Sequence, residues 1–172
     1  NAMPLTMSSA SLPVFEQILG ALDAILDKAE AHATARKIAP EVLLQARLYP
    51  DMFHFTRQVQ ITCDFAMRTV ARLSGVEPAK MEDHEKTFAE VKKRIRAARD
   101  HVAAADRAAI DASADRDITF PMGPEKVTMK GSAYLSHFAL PNFYFHATTA
   151  YAILRENGVE LGKRDFMGQF KP

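Results

Sequence analysis

Leu140-Pro-Asn-Phe-Tyr-Phe-His-Ala-Thr-Thr-Ala-Tyr-Ala-Ile-Leu-Arg155 reads as a helix whose aromatic and aliphatic side chains spread around the whole circumference. A helix without a polar side belongs in the middle of a packed structure or against another subunit. Two polar side chains interrupt it, Asn142 and His146, four residues apart and so on one face. If buried, each needs a partner. They therefore mark either a satisfied core pair or a pocket that holds a metal or a small molecule. His137, nine residues before His146, falls about 180° away on a regular helix and makes a poor third member. Pro141 kinks or interrupts a helix spanning residues 132–156, and Asn157-Gly158 closes it.

Three more helices are legible upstream. Leu12, Phe15, Leu19, Leu22, Leu26 and Ala29 recur at spacings of three and four, with Ser11 as the expected N-cap and Pro13 in the first turn. The pattern fades between residues 33 and 39, and Pro40 opens a short helical piece with Val42, Leu43 and Leu44. After a turn at Tyr49-Pro50-Asp51, a second long helix buries Phe55, Val59, Thr62, Ala66, Val70 and Leu73 and stops at Gly75 and Pro78. A third turns Phe88, Val91, Ile95, Ala98, Val102 and Ala105 inward, with Thr87-Phe-Ala-Glu90 as its capping box. Lys92, Lys93, Arg96 and Arg99 are expected on its solvated face. Between residues 117 and 130, two short β-prone runs flank Met122-Gly-Pro-Glu125, the pattern of a small β-hairpin or extended loop. The fold class is all-α, a four-helix bundle with that hairpin before its last helix.

The chain is expected to be one domain. Its 172 residues are 48% hydrophobic and 25% charged, with no repeat and no Gly/Ser/Pro-rich linker. Twenty-two basic against 21 acidic side chains leave no surplus for a polyanion, so no nucleic-acid partner is expected. The single cysteine, Cys63, fits a reducing cytoplasm and a core position. Asn1-Ala2 reads as an expression-tag remnant, no signal peptide follows, and no apolar run suggests a membrane span. The tail from Gly162 carries Phe166, Met167 and Phe170, which either dock on the bundle or cover a partner.

On the second helix, Asp51, His54 and Gln58 form a polar stripe at its start. If that end meets the Pro141 segment, His54, Asn142 and His146 converge with Asp51 or Gln58 in support. Imidazole and oxygen ligands suit zinc, nickel, iron or manganese. His32, His84 and His101 sit in polar contexts and read as surface residues.

Taken together, Tyr49-Pro-Asp-Met-Phe-His-Phe-Thr-Arg-Gln-Val-Gln60, Leu140-Pro-Asn-Phe-Tyr-Phe-His146 and Asn157-Gly-Val-Glu-Leu-Gly-Lys-Arg-Asp-Phe-Met167 resemble an uncharacterised bacterial family of the DinB/YfiT-like superfamily. The resemblance covers residues 8–168. It implies a four-helix bundle, often a homodimer, and an enzyme that uses a divalent transition metal, of the thiol-dependent transferase or isomerase type. In such enzymes a histidine of the second helix joins two histidines four apart on the last. His146 matches the second of that pair, Asn142 stands where the first is expected, and His54 or Gln58 takes the position on the second helix. An amide in place of an imidazole implies a degenerate metal site, in which Asp51 would orient a ligand or accept a proton. The alternative is a non-catalytic dimeric bundle, or a small-ligand binder, in which Asn142 and His146 are structural.

Overall fold

The computed structural model describes residues 4–170, so Asn1-Ala2 and the last tail residues, Lys171 and Pro172, lie outside it. Four long helices carry the core: α1 (Met7–Arg36), α3 (Phe55–Ser74), α4 (Phe88–Ala103) and α7 (Leu140–Glu156). Between them lie α2 (Pro40–Leu44), α5 (Arg107–Asp111), the strands β1 (Asp117–Met122) and β2 (Glu125–Lys130), and α6 (Gly131–Ala133). A π-helical segment, Tyr134–Ala139, joins α6 to α7, and α8 (Lys163–Met167) ends the fold.

The apolar faces expected on α1, α3 and α4 are all buried, apart from Ala105, which lies past the end of α4 and is half-buried. Side-chain pairs give the directions of the helices. Lys92 pairs with Asp27 and Asp23, and Arg99 with Glu16, so α4 runs antiparallel to α1. Arg94 meets Asp64 at 2.7 Å while Glu85, just before α4, meets Gln60 at 2.8 Å, so α3 and α4 run parallel. A connection over residues 76–86 must therefore return along the bundle. Phe138, in the π segment leading into α7, meets Phe65 (centroids 5.8 Å apart) and His146 of α7 meets Gln58, so α7 is antiparallel to α3.

Several expectations need correction. α1 begins at Met7 and not at Ser11, because Thr6 and Ser9 form a reciprocal capping box. Ser11 is buried inside the helix, its hydroxyl donating back to the Met7 carbonyl at 2.7 Å, and Pro13 sits beyond the first turn. Lys92 is buried instead of facing water, since α1 supplies two aspartates for its ammonium group. The short α5 has no counterpart in the sequence reading. The hairpin is present, in register from Asp117–Lys130 to Met122–Glu125. Gly123 takes φ 61° at the first loop position, as a type II′ turn requires.

The interruption near Pro141 takes the form of the π segment just before it. Pro141 has no N–H to give the fourth residue back, and its ring crowds that carbonyl, so the preceding turn widens. In the tail, α8 packs on α1: Phe166 stacks edge-on against Tyr151, Lys28 pairs with Asp165 at 2.7 Å, and Gln17 donates to the Met167 carbonyl. Helix α1 is long and apolar enough, by length and composition, to be considered as a membrane span. Its apolar side chains are spent in the bundle core.

Candidate functional site

The antiparallel α3–α7 pair decides which polar residues meet. His146 faces Gln58, with Nδ1 and Oε1 2.7 Å apart. Gln58 is buried (1% exposed), and its Nε2 donates to the Phe53 carbonyl at 3.2 Å. That bond leaves Oε1 as the acceptor, so His146 Nδ1 carries the proton and Nε2 keeps a lone pair. The ring stacks on Phe65 at 6.0 Å and meets the edge of Phe145 at 5.1 Å. Burial, and then the nearby positive charge of Arg57, lower the His146 pKa below its ordinary value. Neutral imidazole is the form present at pH 7.

His54 does something else. It is the N-cap of α3, and its Nδ1 accepts the Arg57 amide at 3.3 Å. Burial, followed by Arg47, lowers its pKa, against the opposing pull of the Leu44 carbonyl. Asp51 does not join a helical stripe with His54 and Gln58, because it lies in the exposed turn before α3. Arg47 braces that turn through the Pro50 and Met52 carbonyls. Asn142 donates its amide to the Phe138 carbonyl at 2.8 Å, inside the π segment. The start of α3 thus faces His146 rather than Pro141, and Gln58, not His54, is the residue opposite the last helix.

Gln58, Asn142 and His146 offer one imidazole and two amides. Both amides have partners of their own. Neutral amide oxygens are weak ligands for zinc, nickel or iron beside imidazole or carboxylate. Among the described residues, no three His, Cys, Asp or Glu side chains are grouped to hold a metal.

Sequence reasoning missed Arg57, Phe53 and Phe65 at this site. Phe65 follows Gln58 by seven residues, two helical turns along one face, and was findable from spacing. Arg57 stands over the Phe53 ring at 5.7 Å and pairs with Asp83 at 2.6 Å, a partner that only the folded crossover provides.

The same sequence matches the family model described as a domain of unknown function (DUF1993) over residues 7–167. The chain belongs to this family. A crystal structure of a DinB family member protein from Shewanella denitrificans is similar to it, with a TM-score of 0.87 and 39% identity, covering 96% of this chain and 93% of that one. A search of curated proteins finds no match. This DUF1993 protein is thus a DinB-like bundle, as the three motif segments imply.

Proposed function

We propose that this DUF1993 protein binds a small molecule beside the α3–α7 pair through a protic group, an O–H or S–H, donated to Nε2 of a neutral, half-buried His146. The observation that carries this reading is the Gln58 amide, fixed at both ends between His146 Nδ1 and the Phe53 carbonyl. Such an orienting bond sets the tautomer and aims the remaining lone pair, the arrangement a general base or a ligand acceptor needs. Phe65 and Phe145 add an apolar surround on the ring. Gln58, Asn142 and His146 do not fit a resident transition metal, because amide oxygens are weak ligands beside imidazole and Gln58 Oε1 is already taken by His146.

The test is elemental analysis of untagged protein together with long-range 1H–15N NMR of the histidines. The expected result is substoichiometric metal and a His146 ring protonated on Nδ1 alone at pH 7. Stoichiometric zinc, nickel, iron or manganese that disappears in His146→Ala would overturn the proposal in favour of a metal-assisted enzyme. The homodimer is carried forward as a proposal, supported by the exposed Tyr144 and Phe145 on the outer side of α7. Light scattering should give twice the chain mass, falling to the monomer in Phe145→Asp.

A further inference from the structure

At the far end of α3 from His146, the helix terminus and β1 border an open surface pocket of about 260 Å³. Arg72 and Arg116 both line it, with Gly75, Glu77, Asp117 and Thr119 among the other walls. Each guanidinium is held by neutral groups. Arg72 lies over the rings of Phe120 (5.4 Å) and Tyr134 (5.9 Å) and donates from Nη1 to the Tyr134 hydroxyl at 3.2 Å. Arg116 donates from Nη2 alone to the Arg72 and Leu73 carbonyls, at 2.7 and 2.8 Å, and lies against Gly75.

Four other arginines have acidic partners: Arg94 has three, and Arg57, Arg68 and Arg99 one each. Among the described residues, no carboxylate lies within ion-pair distance of Arg72 or Arg116. Of the two acidic residues in the walls, Asp117 is taken by Lys130 at 2.6 Å, and Glu77 is exposed. Two fixed, like-charged forks at one pocket repel each other and still have N–H groups to donate. That is the geometry that recognises an oxyanion by paired, charge-assisted hydrogen bonds. The pocket is smaller than those of about 300 Å³ and above that take drug-sized ligands, which limits the occupant to a small anion.

We propose that Arg72 and Arg116 form a binding site for a small oxyanion, a phosphate or a carboxylate, between the end of α3 and β1. The site is separate from His146 and does not depend on it.

The experiment is an NMR titration of the full chain with inorganic phosphate and, separately, acetate, against chloride at equal ionic strength. Saturable shifts of the Gly75, Val76 and Ile118 amides are expected with at least one of the two oxyanions. The one that acts identifies the class. Arg116→Gln should weaken binding about tenfold, the loss of one charge-assisted contact. Glu77→Gln should strengthen it by removing the nearby negative charge, and it leaves the α3 end braced if Arg116→Gln does not fold. No saturable shift with either anion, or an affinity unchanged in Glu77→Gln, would overturn the proposal.

Discussion

Gln58 is the residue on which the His146 site turns, because it satisfies the imidazole on one side and the Phe53 carbonyl on the other. Gln58→Leu would remove both bonds from a buried position and leave His146 Nδ1–H without an acceptor. The expected cost is about 1–3 kcal/mol in urea denaturation, with little change in the slope. His54 and His146 both have pKa values lowered on folding. The unfolded chain therefore takes up their protons more readily. Their contribution to stability is complete above about pH 6.5 and is lost as pH falls through the folded values. An NMR titration should place both midpoints below 6.5, and His146→Phe should lessen the loss of stability on acidification. The sequence showed Asn142 and His146 on one face because four-residue spacing is a local property. It did not show that Gln58 and not His54 faces them, since that depends on how two helices some 80 residues apart are aligned.

At the scale of single elements, α4 shows how a charged run conceals its inward member. Lys92, Lys93, Arg96 and Arg99 read as a solvated face, yet Arg94 between them, which that reading did not place, has a side chain 1% exposed that meets Asp64, Asp83 and Glu85 at 2.7–3.1 Å. Its partners lie on α3 and on the 76–86 crossover, out of reach of any periodicity argument. Removing the cation would leave buried carboxylates uncompensated. Arg94→Leu should cost about 3–5 kcal/mol, whereas Arg96→Ala on the exposed side should stay within about 0.5 kcal/mol. Burial raises the Glu85 pKa, but hydrogen bonds from its own backbone amide, Arg94 and Gln60 outweigh that and bring it below the usual carboxylate value. Its stabilising effect is present above about pH 4.5 and lost as pH falls through the folded value, so the crossover should loosen first in acid. Hydrogen exchange at residues 82–86 would register it. The π segment behaves similarly: Pro141 announced an interruption, but not its kind. Gly131, at its approach, has no room for a side chain, because a Cβ there would lie 2.0 Å from the Ser113 carbonyl oxygen. Gly131→Ala should destabilise the protein by several kcal/mol, through overpacking against backbone that cannot yield.

For the whole molecule, composition and periodicity were enough for the bundle and the hairpin, because buried faces on α1, α3 and α4 follow the helical repeat. The parallel run of α3 and α4 was not legible, since nothing in residues 76–86 tells a long return from a short turn. The tail was ambiguous for the same reason, until Tyr151 and Lys28 were placed to receive it. One shared core predicts one cooperative unfolding transition, coincident by circular dichroism and tyrosine fluorescence. Cys63 lies in the middle of that core, fully buried, with its thiol pushed up to about 12, chiefly by burial. As the chain's one cysteine, it gives the protein an internal clock. A thiol reagent can reach it only after α3 has parted from its neighbours, so the labelling rate of the unaltered protein counts openings of the bundle directly. That rate should rise in Arg94→Leu.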